Sequence, residues 1–430
     1  MAKVTINQAS QFLGIASSTI LTWEKKKLVK SDVSANNLYL FDLEELRQFH
    51  LQIQDRSILE DLIILKNNQP TDFKVIELFA GCGGMALGLE NAGLQTKLLV
   101  ENNQNCVNTL QINRPNWKVL AENISQVDFR EYQGNIDIVA GGFPCQAFSY
   151  AGHGRGFADT RGTLFFEFAR CLQEVQPKIA IAENVRGLLS HQKGKTLSIM
   201  LETLYQLGYN TSYKLLRAQF LDVPQKRERV FIIATRQDLE IKPLFPQEKN
   251  YTISLRTALN NCPPSPGVEY NQRKREIMSM VPQGGNWRDL SLEIQKDYMK
   301  GSFDQGGGRT GFAKRLAWNE PCLTVTCSPA QTQTERCHPE ETRPLQIREY
   351  ARVQTFPDDW QFTGCLTAQY QQIGNAVPVN LAYHLGRCLI NMLKAKSTTK
   401  STLESPKKSS SFSNNQQLLI PGLTTCPPYN

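Results

Sequence analysis

The chain carries a cysteine whose surroundings suit it to nucleophilic attack. Cys145 follows Pro144 in a turn after an apolar run, where a lowered pKa would make its thiol a thiolate at neutral pH. Glu183 follows another apolar run, and Arg227 and Arg229 lie further along the chain. A cysteine, a buried acid and two arginines suggest attack on a nitrogenous ring. Each residue alone has an ordinary alternative: an inert buried thiol, a helix-capping carboxylate, or arginines in surface ion pairs.

A glycine-rich loop upstream of the cysteine predicts a nucleotide-type binding site. Residues 79–84, FAGCGG, follow an apolar run and precede a helix, so the glycines would let a ligand approach the backbone and the helix N-terminus. Glu101 ends the next predicted strand, where an acid can accept hydrogen bonds from a ribose. The alternatives are a purely structural turn and a solvated strand end.

Five motifs in a fixed order resemble those of the DNA (cytosine-5)-methyltransferase family. The resemblance covers residues 72–393 and implies a type II restriction-modification enzyme. Such an enzyme transfers a methyl group from S-adenosylmethionine to C5 of a cytosine flipped out of a specific double-stranded DNA site. It also implies a cognate restriction endonuclease, against which methylation protects the host DNA. The motifs are FAGCGG at 79–84, PCQ at 144–146, ENV at 183–185, QKRER at 225–229 and GN at 374–375.

The resemblance also implies a role for each reactive residue. Cys145 would bond to cytosine C6, and Glu183, with a pKa raised by burial, would act as the acid at N3. Arg229 would hold the base O2 and Arg227 would organise the loop around Cys145, with the two arginines on opposite faces of an entering strand. The glycine-rich residues 149–160 would close over the DNA, although a free surface loop is the alternative.

The same resemblance implies which residues bind S-adenosylmethionine. Asn123 departs from the family pattern, because relatives usually carry an aspartate there toward the adenine amino group. An amide oxygen can still accept that hydrogen bond. The expected cofactor-binding residues are Phe79, Ala80, Gly81, Gly83, Gly84, Glu101, Asn123, Pro144, Leu164, Asn375 and Ala376.

Short apolar runs alternate with helical stretches from Phe73 onward. Because strands that alternate with helices form parallel sheets, we predict an α/β fold with a doubly wound, mostly parallel, Rossmann-like sheet. The motifs would lie at the carboxyl ends of the strands, where such sheets bind ligands. The predicted strands cover residues 74–79, 96–100, 136–140, 179–182 and 230–234, and a helix covers 163–174.

Residues 1–50 are similar to a MerR-type winged helix-turn-helix. We predict helices over residues 6–13 and from Ser17, a short wing strand at 39–41, and a further helix capped by Asp42. The second helix would face operator DNA, through which the module would regulate transcription. The alternative is a helical appendage with no DNA role.

The other segments have less distinct patterns. Residues 51–71 are spaced for one apolar helix face, which predicts a helical linker. Catalytic segments 72–236 and 345–393 flank an insertion at 237–344, which is too long and irregular for one loop and is predicted to be the target-recognition domain. Residues 394–430 are predicted to be a disordered tail. Candidate groove contacts in the insertion are Asn286, Trp287, Arg288, Arg309 and Thr310.

Composition narrows the class of protein. Hydrophobic residues make up 40% of the chain, enough for a sizeable core, and no apolar run is long enough to span a bilayer. Eleven scattered cysteines and the lack of an apolar leader predict a cytoplasmic location. The net charge of +8 is compatible with DNA without establishing it. No metal is predicted, because the spacing of Cys322, Cys327, Cys337 and His338 fits no ordinary zinc site.

Three other classes of protein compete with a DNA methyltransferase. An RNA methyltransferase of the same superfamily would use the same chemistry, but the long insertion and the N-terminal module argue against it. A transcription regulator with a degenerate enzyme domain should have lost Cys145, Glu183 or the arginines, and a structural scaffold would need none of them. The recognition sequence does not follow from residues 237–344, because readout depends on which loops reach the groove.

Overall fold

The computed structural model of the protein describes most of the chain. Pro144, Cys145, residues 149–160 and Arg309 lie outside the described part. Within it, every helix is too short or too polar to cross a membrane. The described ranges are 3–13, 17–25, 27–33, 38–49, 61–143, 164–304 and 310–399.

The N-terminal residues form a small unit around their own core. Its elements are β1 (Lys3–Thr5), α1 (Ile6–Leu13), α2 (Ser17–Lys25), β2 (Ser31–Val33), β3 (Tyr39–Asp42) and α3 (residues 43–49). Strand β3 pairs antiparallel with both β1 and β2. The buried core side chains are Ala9, Ile20, Trp23, Val29, Phe41 and Leu46.

The predicted helices and the predicted strand of this unit are present. The Oδ1 atom of Asp42 accepts hydrogen bonds from the backbone N–H groups of Glu44 and Glu45, so Asp42 caps α3. Strands β1 and β2 were not predicted, because three-residue strands are too short to show an alternating pattern.

A seven-stranded mixed sheet forms the centre of the main domain. The strands of this domain are β4 (Lys74–Leu78), β5 (Gln95–Val100), β6 (Val119–Leu120), β7 (Ile138–Gly141), β8 (Ile179–Val185), β9 (Tyr209–Arg217), the short β10 (Gln225–Lys226) and β11 (Glu228–Arg236). The order across the sheet is β6-β5-β4-β7-β8-β11-β9. The five neighbouring strands β6, β5, β4, β7 and β8 run parallel to one another, whereas β11 is antiparallel to both of its neighbours, β8 and β9. The predicted α/β fold with a mostly parallel sheet is confirmed.

Helices pack on both faces of this sheet. The helices that follow β4 in chain order, including those of residues 237–344, are α4 (Gly84–Ala92), α5 (Gln104–Asn113), α6 (Leu164–Val175), α7 (Lys195–Gln206), α8 (Leu255–Leu259), α9 (Gln272–Ser279), α10 (Leu292–Met299), α11 (Ile347–Val353), α12 (Leu366–Asn375) and α13 (Val379–Thr399). Because successive strand residues point to opposite faces, Val75 packs with α4 and α13, whereas Ile76 packs with α6 and α7. Helices α4 and α13 approach closely at Gly88, where a Cβ would clash with the carbonyl of Val379.

Residues 237–344 divide, by their packing, into an inner part with its own core and flanks that pack on the main domain. Helices α9 and α10 surround the inner core, which includes Trp287 and Cys337. The flanking helix α8 and strand β12 (Cys322–Leu323) pack with α11 and α12 instead. Buried Arg315 ties the inner part together by donating to backbone carbonyls. Its acceptors include Met278 (2.6 Å), Val281 (2.8 Å) and His338 (3.1 Å).

Two of the candidate groove contacts are buried in this inner part. Asn286 is 5% exposed, and its Oδ1 atom accepts a hydrogen bond from the backbone N–H of Arg288. Trp287 is 6% exposed and belongs to the inner core. The prediction is therefore wrong for Asn286 and Trp287, whose side chains stabilise the insertion. Thr310 is exposed.

The prediction of a helical linker is wrong for residues 61–70, which contain no helix. The side-chain amide of Asn380 accepts a hydrogen bond from the N–H of Leu65 (2.9 Å) and donates one to the carbonyl of Ile63 (2.9 Å). Because Asn380 of α13 supplies hydrogen bonds to these backbone groups, the segment needs no helix and runs irregularly along the main domain. Ile64 packs against the core cluster that includes α11 and α12. Residues 50–60 lie outside the described part.

The final helix extends into the predicted disordered tail. Helix α13 continues to Thr399, so the tail does not begin at residue 394. Residues 394–396, Lys-Ala-Lys, are strong helix formers and extend the helix past the buried Leu393. Residues 400–430 lie outside the described part.

Candidate active site

A cleft of about 430 Å³ lies at the carboxyl ends of β4, β5, β7 and β8. Residues that follow these strands line it, as expected for a parallel sheet. Gly83 and Arg227 do not line the cleft, and Pro144 and Cys145 lie outside the described residues. The candidate site residues that line it are Phe79, Ala80, Gly81, Gly84, Glu101, Asn123, Leu164, Glu183, Arg229, Asn375 and Ala376.

The glycine-rich loop turns sharply between β4 and α4. Phe79 adopts a left-handed conformation (φ 58°), which costs a bulky residue on the order of 1 kcal/mol, and its ring packs on Phe143 (centroids 6.4 Å apart). A Cβ on Gly81 would meet nothing within 4 Å, so its backbone is open to the cleft. Gly83 has φ 89°, and a Cβ there would lie 2.7 Å from the Cδ2 atom of Leu110. Gly83 is therefore needed for the turn, and its contact with a ligand stays a prediction.

Glu101 fixes the shape of this end of the cleft. Its Oε2 atom accepts a hydrogen bond from the N–H of Gly81 (2.8 Å), and its Oε1 atom accepts one from the N–H of Asn103 (2.8 Å). One carboxylate thus holds the glycine-rich loop and the start of α5 at a set spacing. A ribose that binds here would share these oxygens with the backbone.

An acid that the sequence did not single out lies beside Glu101. Glu77 occupies β4, is 2% exposed and lines the cleft. Burial raises its pKa well above the usual value, and the charge of Glu101 raises it further. Its Oε2 atom has no hydrogen-bond partner among the described residues. An acid within an apolar strand was the available signal, and here it offers a site for a positively charged ligand group.

Asn123 lies at the cleft, but its side chain is already engaged. Its Oδ1 atom accepts hydrogen bonds from the backbone N–H (3.2 Å) and the hydroxyl (3.1 Å) of Ser125. The amide therefore caps a short turn, as an aspartate would.

Glu183 and Arg229 form an ion pair at the base of the cleft. Glu183 lies near the end of β8 and Arg229 near the start of the antiparallel β11, and the Nε atom of Arg229 is 2.9 Å from the Oε1 atom of Glu183. The two side chains are 14% (Arg229) and 12% (Glu183) exposed. Burial raises the pKa of Glu183, although Arg229 and Arg227 act in the opposite direction. The carboxyl thus remains able to take up a proton inside the cleft.

Arg227 lies behind this pair and is 1% exposed. Burial, followed by the charge of Arg229, lowers the pKa of Arg227 to about 9. The predicted placement of Arg227 and Arg229 on opposite faces of one strand is wrong, because residues two positions apart on a strand share a face. Arg227 moreover lies between β10 and β11, and both guanidinium groups act on Glu183. The guanidinium of Arg227 donates to the carbonyls of Val325 (3.3 Å), Gly374 (3.1 Å) and Ala376 (2.9 Å).

A chain of buried glutamines holds the same segment. The Nε2 atom of Gln225 donates to the Oε1 atom of Gln354 (2.8 Å). The Nε2 atom of Gln354 in turn donates to the carbonyls of Ile373 (2.6 Å) and Ala376 (3.0 Å). The cleft-lining Asn375 and Ala376 therefore depend on the QKRER motif for their position. Both glutamines lie in segments that resemble family motifs, but the sequence did not predict that Gln225 and Gln354 contact each other.

Three of the four residues that were considered for zinc, Cys327, Cys337 and His338, have side-chain hydrogen-bond partners within the protein. The thiol of Cys327 donates to the Oδ1 atom of Asn375 (3.1 Å), and the Nδ1 atom of His338 accepts from the N–H of Glu341 (3.0 Å). Cys322 lies in β12. No group of three potential metal ligands occurs among the residues that the structure describes.

Comparisons with known proteins agree on one family. The family model of the C-5 cytosine-specific DNA methylases matches residues 73–391. The chain is 50% identical over 401 residues to the type II methyltransferase M.Eco47II of Escherichia coli. This alignment covers 90% of this chain and 95% of that relative. The chain is 52% identical over 333 residues to the type II methyltransferase M.PspPI of Psychrobacter sp. (strain TA137), covering 75% and 80%. A solved structure described as a DNA modification methyltransferase encoded within an E. coli prophage matches with a TM-score of 0.56 and 25% identity, covering 75% of this chain and 100% of that one.

Replacing Arg227 by methionine should destabilise the protein by about 3 kcal/mol, because three backbone carbonyls would lose the buried donor that they share. Denaturant unfolding of the whole chain measures this. Arg186→Met is the matched control, since Arg186 forms an exposed ion pair with Glu228 and should cost less than about 1 kcal/mol. Equal losses in the two variants would contradict a fixing role for Arg227.

Proposed function

The chain belongs to the C-5 cytosine-specific DNA methylase family, and we propose that the cleft at the carboxyl ends of β4, β5, β7 and β8 is its active site. As a member, the chain is a DNA (cytosine-5)-methyltransferase that uses S-adenosylmethionine. The observation that carries the proposal is the ion pair of Glu183 and Arg229, which is mostly shielded from solvent and lines the same cleft as the glycine-rich loop.

The lining of the cleft fits S-adenosylmethionine. When bound, the cofactor supplies an electrophilic methyl group on a positively charged sulfur. Glu77, Glu101 and Glu122 line the cleft, and the raised pKa of Glu77 would fall beside a cation, so that its unpaired Oε2 atom gains a partner. The residues that would hold the cofactor are Phe79, Ala80, Gly81, Gly84, Glu101, Asn123, Leu164, Asn375 and Ala376, with Pro144 from outside the described residues.

We infer that Cys145 is the nucleophile that activates cytosine. The electron pair of its thiolate forms the bond to C6, and the C5–C6 double-bond pair then bonds C5 to the methyl group, whose former bond pair would stay on the donor sulfur and cancel its positive charge. The proton on C5 then passes to water. Its electron pair restores the C5–C6 double bond while the Cys145–C6 bond breaks and returns its pair to sulfur. The base must leave the DNA stack for the thiolate to reach C6.

Glu183 and Arg229 would bind the edge of the same base. Cytosine O2 is the exocyclic oxygen on C2, the ring atom next to N3. The two side chains that pair at 2.9 Å would face N3 and O2. Burial raises the pKa of Glu183, so its carboxyl can share a proton with N3 as negative charge builds up on the ring. Arg229 would donate to O2, while Arg227 maintains the position of the surrounding segment.

The relatives support a more specific biological role. The relatives M.Eco47II and M.PspPI are type II methyltransferases, so we infer that this chain methylates a specific short double-stranded DNA site. Methylation would protect the host DNA from a cognate restriction endonuclease. Residues 237–344, whose inner part has a core of its own, would form the target-recognition domain.

The N-terminal unit would act as a winged helix-turn-helix that binds operator DNA. Helices α1 and α2 and the three-stranded sheet support this second function. However, Thr19 and Thr22 of α2 line a cavity of about 200 Å³ together with Lys226 of the main domain and Lys314 of the insertion. Because α2 faces the rest of the chain, binding of an operator through α2 would require the unit to separate from it.

Cys145→Ala should abolish methyl transfer while leaving DNA binding largely intact, because the variant lacks only the nucleophile. Methylation of mixed-sequence duplex DNA, followed by sequencing of the modified cytosines, measures the first effect. Cys365→Ala removes an exposed thiol at the start of α12 and serves as the control. Duplexes with 5-fluorocytosine should trap the enzyme covalently, since fluorine cannot leave as a proton. An active enzyme that is never trapped would rule out the covalent step.

A fragment of residues 1–49 should bind one DNA site near its own promoter more tightly than the full chain does, because α2 is uncovered in the fragment. The unit has its own core, so it should fold alone. Competition with unrelated DNA at physiological salt, where non-specific binding is weak, measures the preference. A fragment with no sequence preference would leave the unit as a helical appendage.

A further inference from the structure

A short loop with an amide-rich tip lies next to the cleft. This amide loop comprises residues 326–334, which follow β12. The side chains of Gln331, Thr332 and Gln333 at its tip are exposed, and they carry hydrogen-bond donors and acceptors without net charge. Such side chains suit recognition of another polar surface better than attraction to a phosphate backbone.

The base of the amide loop is rigid. The backbone N–H of Arg336 donates to the carbonyl of Pro329 (2.9 Å), which closes the loop, and the N–H of Glu335 donates to the carbonyl of Gly311 (3.0 Å). The Arg336 guanidinium is buried and donates to the carbonyl of Thr324 (Nε, 2.9 Å). The hydroxyl of Thr326 donates to the carbonyl of Ser328 (2.9 Å). A tip on such a base can present its side chains in a fixed geometry.

The amide loop directly contacts the segment that lines the active site. The thiol of Cys327 donates to the Oδ1 atom of the cleft-lining Asn375 (3.1 Å). A Cβ on Gly374 would clash with the carbonyl of Thr326, so the two backbones touch. Arg227 donates to the carbonyl of Val325, just before the loop. A DNA duplex with one cytosine in the cleft would therefore bring its neighbouring base pairs close to the tip.

We propose that Gln331 and Gln333 read base edges in the major groove beside the target cytosine. A glutamine amide offers a donor and an acceptor together, which matches the paired groups that a base pair presents in the major groove. The buried Asn286 and Trp287 cannot take this role, whereas the tip of the amide loop is accessible. This inference rests on the proposed function, since it names the residues that make the same site selective.

The test compares the sequences that each variant methylates. Wild-type chain, Gln331→Ala and Gln333→Ala are each incubated with S-adenosylmethionine and mixed-sequence duplex DNA, and the methylated cytosines are sequenced. Each amide that reads a base should cost about 5- to 150-fold in kcat/KM at the wild-type site, and much less at sites that differ there by one base pair. Gln206→Ala, an exposed glutamine on α7, is the matched control and should keep the wild-type profile.

Two results would overturn the inference. If both variants keep the wild-type sequence profile and rate, the tip does not touch DNA. If rates fall equally at all sequences, the tip contacts only the DNA backbone. Unfolding midpoints of the variants should match the wild type, because both side chains are exposed. A wild-type chain that methylates no cytosine would contradict the proposed function instead.

Discussion

The reversal of strand direction between β8 and β11 determines where the reactive side chains meet. Strand β8 is the last of the parallel strands, and β11 returns beside it. The start of β11 therefore lies next to the end of β8, and Arg229 reaches Glu183 at 2.9 Å. A parallel β11 would bring its C-terminal end to this position. The ion pair is thus a consequence of topology, and it brings a carboxyl and a guanidinium to the edge where parallel strands bind ligands.

Burial of Arg227 joins the other parts of the protein to this pair. Its guanidinium lies behind the cleft and donates to carbonyls near the end of the insertion, in the last turn of α12 and just after α12. A buried arginine that bonds only carbonyls loses much hydration, so it is stable only where several acceptors converge. The glutamine pair Gln225 and Gln354 strengthens the same junction. Arg227 and this glutamine pair consequently hold the catalytic residues, the cleft-lining Asn375 and Ala376, and the amide loop in position.

The sequence predicted those features that depend on local pattern. Alternating apolar runs identified the strands, and the glycine-rich loop and Glu101 were located because they follow strand ends. It did not predict features that depend on distant partners. The segment at Leu65 has helical spacing, yet the amide of Asn380, over 300 residues away, holds it in an irregular path. Asn286 and Trp287 were predicted to contact the DNA groove, but tertiary packing buries them. Glu77 was overlooked because it lies inside a predicted apolar strand, and only the fold shows that this residue lines the cleft.

The most direct test of the account is the pH dependence of single-turnover methylation by wild type and Glu183→Gln. If the carboxyl of Glu183 shares its proton with N3, the wild-type rate constant should fall as pH rises through its pKa, which burial raises. Glutamine keeps the shape but cannot deliver the proton, so the variant should be slower by about 100-fold or more and should lack that alkaline fall. Glu228→Gln, which alters a half-buried neighbour paired with the exposed Arg186, should behave as wild type. A Glu183→Gln variant with the wild-type rate and pH profile would contradict the assignment of the cleft.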